Sequence, residues 1–326
     1  MFSQILDYYK TLTPPDKLTA VYCGIMSALI LSRATTIGSD TAYTYAGYYI
    51  IVLLFILLVV PLLDRIDHVI VKNPLIQFVR YLYPALLLGA FFTWTQPVCH
   101  MFFSEPFDEA ILKLDLLLFG FNPGKDLVNV LGNNYWLSEY MNISYLSFYC
   151  TPWLVVYFYF AKKQKEFCYT AFICGLVMYV CYFIQSVLPV EGPIYHDPSI
   201  GHHIIAGPIS AFAADFLSNA DVPGSAMPSG HVAGTISIFL LSWQMFRKAF
   251  WVTAPLWISL CIATVYGHFH YAVDGIAGIM VAAFGVLWIG PMIYSWLFPD
   301  MLPDSIAGKK KASEQEDELL APGVLE

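Results

Sequence analysis

The sequence predicts an all-α, polytopic membrane helical bundle of about eight transmembrane helices, with both termini cytoplasmic. Three observations lead there. The 326 residues are 58% hydrophobic and only 12% charged, against about 25% charged in soluble domains. The charged residues leave long gaps between them. The remaining Lys and Arg fall unevenly on the two sides of those gaps. So few charges cannot coat a soluble globule. That excludes a disordered chain, a nucleic-acid binder with a basic face and an ordinary cytosolic enzyme. Much of the net charge of −8 sits near the C-terminus, at Glu314, Glu316, Asp317 and Glu318, and says little about partners. The seven cysteines show no CxxC and no metal-ligand spacing, and read as reduced, buried thiols.

The spans follow from the gaps. Residues 41–63, 81–104, 140–161, 167–190, 222–246, 249–273 and 275–299 carry no Asp, Glu, Lys or Arg. A membrane-spanning helix needs about 20 mostly apolar residues, so each run is long enough. A shorter run, 18–32, extends to a span over 18–36 if Arg33 snorkels. It starts too late, and lacks the small-residue site, for a cleavable signal peptide.

The positive-inside rule tests this count. With the N-terminus inside, Lys10, Lys17, Arg65, Lys72, Arg80, Lys162, Lys163, Lys165, Arg247, Lys248, Lys309, Lys310 and Lys311 all fall inside. Only Arg33, Lys113 and Lys125 fall outside. The expected organisation is two N-terminal spans with a cytoplasmic loop (1–79), a six-helix membrane domain (80–299) and a disordered cytoplasmic tail (300–326). The outer side then owns the loop 105–138, with an interfacial helix over 110–119, the loop 190–226 and the turn 267–274.

Six of the eight histidines lie between 196 and 270, all on that outer side: His196, His202, His203, His231, His268 and His270. The string Ala226-Met227-Pro228-Ser229-Gly230-His231 opens the sixth span. Ser suits an N-cap, and a helix start attracts anionic oxygens. The string His268-Phe269-His270-Tyr271-Ala272-Val273-Asp274 closes the seventh span and opens the eighth. His270 and Asp274 are four apart, so on a helical turn they share a face. A carboxylate can hold one imidazole nitrogen protonated and leave the other free to attack. Taken alone, the first string is more readily a helix start with a water-facing histidine, and the second is equally a structural His–Asp bond that closes a turn. Together, at one membrane face, His231, His270 and Asp274 suit phosphoryl transfer.

P-S-G-H followed by H-Y-x-x-D resembles the type 2 phosphatidic acid phosphatase superfamily. It is most similar to the branch that includes inositol phosphorylceramide synthases, an inositolphosphotransferase-like pattern. Leu114-Asp115 through Leu118-Phe119-Gly120-Phe121-Asn122-Pro123 and Leu188-Pro189-Val190-Glu191-Gly192-Pro193 add weaker matches. The resemblance covers roughly residues 80–297. It implies that His270 is the nucleophile, Asp274 its orienting carboxylate and His231 the general acid and then base. It further implies that Ser229 and the Gly230 backbone hold phosphoryl oxygens, with no metal and no cofactor. Gly192, Tyr195 and His268 complete the candidate substrate-binding set, a packing role being the alternative for Tyr195.

The chain also departs from the phosphatase pattern. Phosphatases of the superfamily carry Lys and Arg-Pro before P-S-G-H and a Ser-Arg pair before the second histidine. Here Ala263 and Thr264 stand at the pair, and Pro189–Pro193 offers no Lys or Arg. His268, with His202 or His203, is the candidate source of positive charge. His196, His202 and His203 as a metal set are outweighed by a polar loop, and the sequon Asn142-Ile143-Ser144 falls inside an expected span.

The resulting expectation is an integral membrane lipid phosphatase or head-group phosphotransferase. Its partners are a membrane lipid and the bilayer, with no nucleic acid. The site faces the periplasm in a bacterium, or the lumen of the endoplasmic reticulum or Golgi in a eukaryote. The alternatives are a catalytically silent relative that binds lipid or serves assembly, and a transporter. Charge-free spans argue against the transporter.

Overall fold

A computed structural model describes residues 10–67, 74–131, 134–197, 200, 207–218 and 223–308. His68, His202, His203 and the tail beyond 308, on which parts of the sequence reading rest, lie outside the described residues. The described chain is helical, without strands. Its helices are α1 (Pro14–Ser32), α2 (Ser39–Arg65), α3 (Pro74–Thr93), α4 (Asp108–Phe119) and α5 (Pro123–Leu131). Then come α6 (Tyr135–Leu146), α7 (Trp153–Phe160), α8 (Gln164–Val187), α9 (Pro208–Ser218), α10 (Gly230–Met245), α11 (Arg247–Tyr266) and α12 (Ala272–Leu297).

Five of these, α2, α3, α8, α11 and α12, are long and apolar enough to cross a membrane. They coincide with five of the expected spans, and they make this a membrane protein. The other three expected spans take different forms. The 18–36 run becomes α1, which starts earlier because Pro14 and Pro15 suit a first helical turn and the Asp16 carboxylate accepts the Thr13 N–H at 2.8 Å. The 140–161 run is broken into α6, a 3₁₀ turn over Ser147–Cys150, and α7. Pro152 lacks an N–H, and the Ser147 and Thr151 hydroxyls bond back to the Ser144 and Phe148 carbonyls. The 222–246 run yields the 16-residue α10, because residues 223–229 are spent on a turn.

Helix α8 is the axis. Of the five long helices it is the most buried, 61% of its apolar window against 28–44% for the others. Helices α1, α3, α7 and α10 pack around it, and α11 and α12 pack on α10. The largest core cluster joins Phe172, Val177, Ala233, Leu241, Trp257 and Val286 from these helices. A helix is present as α4 where one was expected over 110–119. Leu117 and Leu118 point outward, and Gly120 ends it in the left-handed conformation, φ 75°.

The N-terminal helices are tied to the rest by one buried ionic cluster. Arg80 of α3 donates to both Asp16 carboxylate oxygens at 3.2 and 2.9 Å, and to Asp64 of α2 at 2.8 and 2.9 Å. Tyr83 donates to Asp16 at 2.6 Å. Removing the guanidinium strands a fully buried carboxylate. Arg80→Met is therefore expected to destabilise the protein by about 3 kcal/mol. Arg80→Lys restores little of it, because an ammonium cannot fork to two carboxylates. Thermal unfolding in detergent measures both, and an unchanged midpoint in Arg80→Met contradicts the assignment.

Candidate active site

The two histidine strings meet at the end of the bundle where α8 and α11 finish and α10 and α12 begin. Ser229 caps α10, its Oγ accepting the Val232 N–H at 3.3 Å. The Gln185 side chain, from the end of α8, donates to the Pro228 carbonyl at 2.8 Å and holds the turn. The Ser229 N–H donates to the Asp274 carbonyl at 3.0 Å, which stitches the first string to the second. Gly278 makes this approach possible. A Cβ there would meet the Ser229 carbonyl at 2.6 Å.

His270 sits just before α12, and Asp274 in its first turn. His270 Nδ1 lies 3.5 Å from Asp274 Oδ2, with both side chains buried. The same Oδ2 accepts the Tyr271 N–H at 2.9 Å, so the carboxylate is fixed by its own helix start. Nδ1 faces the carboxylate, which leaves Nε2 as the free nitrogen. The His231 ring lies 6.0 Å from that of His270, centroid to centroid. It is held against Phe148 at 4.3 Å and Tyr145 at 4.8 Å.

Two carboxylates that the sequence reading did not assign hold this end together. Both belong to α4 and both are fully buried. Asp115 accepts the Ala272 N–H at 3.0 Å and the Val273 N–H at 2.9 Å, two of the orphan donors at the start of α12. Burial pushes its carboxyl up, and those two backbone donors partly offset this. Asp108 accepts the Glu191 and Gly192 N–H groups, each at 2.8 Å, and the Tyr271 hydroxyl at 3.1 Å. Burial, with Asp108 next to it, pushes the Tyr271 phenol well above its usual range. Asp108 and Asp115 are seven apart, two turns, so one face of α4 reaches both strands of the site. A similar bond seats α9, where the Glu139 carboxylate of α6 accepts the Ile209 and Ser210 N–H groups at 2.9 Å.

The remaining predicted residues fall around this frame. Gly192 adopts φ 93°, and a Cβ there would meet the Phe269 carbonyl at 2.6 Å. It is therefore a close-approach position between the second outer loop and the H-x-H string. His268 adopts φ 66°, a left-handed conformation uncommon for a residue with a side chain. Its ring shares a hydrogen bond of 2.7 Å between Nδ1 and the Gly124 carbonyl. Burial lowers its pKa, opposed by that bond, so at neutral pH it is an uncharged donor to α5. Tyr195 lies exposed on the single turn Pro193–His196, next to Ile194, whose N–H donates to the His268 carbonyl at 3.1 Å.

Beside His231 and Gly230 opens a cavity of about 510 Å³. It runs into the bundle between α1, α3, α7 and α8, and its walls are mostly apolar. Its far end reaches Pro15 and Leu18 of α1 and Ala171 of α8. This volume is in the range of small-molecule sites, about 300–1,000 Å³.

The arrangement is an imidazole paired with a buried carboxylate, and a second imidazole at the mouth of an apolar cavity. Comparison with known proteins places the chain in a family. A family model described as the PAP2 superfamily matches residues 109–288, a span that contains His231, His270, Asp274, Asp115 and Gly192. A PA-phosphatase related-family protein of Dictyostelium discoideum is 28% identical over 127 residues. That match covers 36% of this chain and 23% of the relative, so the chain spans under a quarter of that protein's length. No solved structure matches.

The Asp115 bonds generate a test. Asp115→Ala leaves two N–H groups without their acceptor, a cost of about 1–3 kcal/mol. It is expected to lower the unfolding midpoint, and to lower kcat for phosphate release more than it raises KM, because the nucleophile's helix start is displaced. Leu117→Ala, on the outward face of the same helix, is expected to change neither. Equal behaviour of the two variants contradicts the anchoring role.

Proposed function

This chain belongs to the PAP2 superfamily, and we propose that it transfers the phosphoryl group of a lipid phosphate or phosphodiester through a phosphohistidine on His270. The observation that carries the reading is the His270–Asp274 pair, 3.5 Å apart, with the His231 ring facing it at 6.0 Å. Nε2 of His270 attacks phosphorus while Asp274 stabilises the imidazolium that forms. His231 gives a proton to the departing oxygen. In the second half it takes a proton from the acceptor, which attacks the phosphohistidine and frees His270. The start of α10, with Ser229 and the Gly230 backbone, is the proposed holder of the phosphoryl oxygens, since a helix start favours anionic oxygen.

The acceptor is water in a phosphatase and an alcohol in a head-group transferase. The missing Ser-Arg pair at Ala263 and Thr264 favours the transferase branch, that of the inositol phosphorylceramide synthases. Thr264 is turned away from ligand duty, its hydroxyl donating to the Cys261 carbonyl at 2.9 Å. The Lys and Arg distribution across the spans supports a site on the outer membrane face, with eight spans and both termini inside. The apolar cavity beside His231 supports a substrate that keeps its tail in the bilayer.

The test is a panel of lipid phosphates and phosphatidylinositol, with and without ceramide or diacylglycerol, given to purified protein in detergent. Free phosphate and new head-group lipids are followed together. His270→Ala is expected to lose at least about 10³-fold in kcat, His231→Ala and Asp274→Asn about 10²–10⁴-fold. Activity retained in His270→Ala overturns the reading.

A further inference from the structure

We propose that the cavity beside His231 receives a single hydrocarbon chain of the substrate, entering sideways between α3 and α7, and that its depth selects chain length. This rests on the reading of the site as one that acts on a lipid phosphate.

The cavity has the shape of a chain. Along α8 its lining runs from Tyr182, near the site, to Ala171. That is 11 residues, or about 17 Å at the helical rise, over half the roughly 30 Å thickness of a bilayer's hydrocarbon. His231 lines it at the end near the site, and the Thr19 hydroxyl that faces it further in is paired with Tyr179 at 2.9 Å.

Tyr81 lines the far end of the cavity, and a cluster of rings packs behind it. Phe78 and Tyr81 of α3 meet Tyr159 of α7 at 5.6 and 6.0 Å, and Phe167 of α8 lies 6.0 Å from both Tyr81 and Tyr159. This clasp joins α3 to α7 at the end remote from His231. Nearer the site the two edges separate. Gly89 and Thr93 on α3, and Tyr149 and Pro152 across from them, line the cavity and are also exposed. A cavity whose rim residues are exposed both on α3 and on the turn that leads into α7 is open sideways between them.

The occupant follows from what surrounds that opening. A lipid whose phosphate lies between His231 and His270 has its chain beside the opening already. Moving from bilayer to cavity, the chain changes one apolar environment for another, so it gains packing and not dehydration. A chain too short leaves a void, and one too long meets the clasp. Selection by length is the consequence.

The experiment uses the full chain in detergent. Alkyl phosphates from octyl to octadecyl are assayed for phosphate release. The expected result is a kcat/KM that rises with length to an optimum and then falls. Gly89→Leu adds its side chain to open space and obstructs the upper cavity. It is expected to lower the hexadecyl-to-octyl ratio of kcat/KM about tenfold.

Binding is read separately, on His270→Ala, with hexadecyl phosphate carrying a diazirine at its last carbon. Crosslinks are expected on α8 and α3 near Ala171 and Tyr81, and to be competed by hexadecyl phosphate. Crosslinks spread over the outer faces, or a flat length profile, overturn the proposal while phosphate release upholds the lipid phosphate reading. Competed crosslinks at the floor, with neither phosphate release nor head-group transfer in the lipid panel, uphold the cavity and overturn that reading.

Discussion

The site depends on one carboxylate reaching across from another helix. Asp115 accepts the first two N–H groups of α12, and α12 carries Asp274 in the same turn. Helix starts usually find an acceptor in the residue just before them. Here that residue is Tyr271, whose hydroxyl is engaged elsewhere, with Asp108. Helix α4 therefore supplies the cap, and by doing so fixes the height at which His270 leaves α11 and meets Asp274. The same face of α4 fixes Gly192 through Asp108. One helix thus anchors both Gly192 and the turn that follows His270.

From that anchor the rest of the site follows by packing. Gly278 lets α12 approach the start of α10, and the Ser229 N–H bonds to the Asp274 carbonyl. Gln185 at the end of α8 holds Pro228 from the other side. Helix α8 then continues into the bundle as one wall of the cavity. The polar constellation and the apolar cavity beside it belong to one helix arrangement. The Arg80 cluster closes the opposite end, by holding α1 and α2 to α3.

Much of this was legible in the sequence, and the limits are physical. Five expected spans are helices of membrane-crossing length, because a charge-free apolar run leaves a chain in lipid no alternative to a helix. The 140–161 run was not legible as a broken helix, since apolarity says nothing about where Pro152 and two back-bonding hydroxyls interrupt it. His231, His270 and Asp274 were readable from spacing, and the fold brings them to one place. Asp108 and Asp115 were not assigned. Asp108 at a helix start reads as an ordinary first-turn charge, Asp115 as a lone charge within the helix, and the partners of both lie more than 80 residues away. His268 was read as a candidate source of positive charge, whereas its burial favours the neutral ring and only its bond to Gly124 opposes this. Phe148 and Tyr145, which position His231, had no signal beyond being aromatic in an apolar run.

The central claim is a covalent intermediate on His270, and trapping it is the most direct test. Substrate labelled with ³²P in its phosphate is mixed with protein, quenched within milliseconds, and the label is mapped by peptide. The account predicts a phosphohistidine at His270, labile to acid and stable to base, that accumulates in His231→Ala and is absent in His270→Ala. Turnover without a labelled enzyme, or label at Ser229 in place of His270, contradicts it.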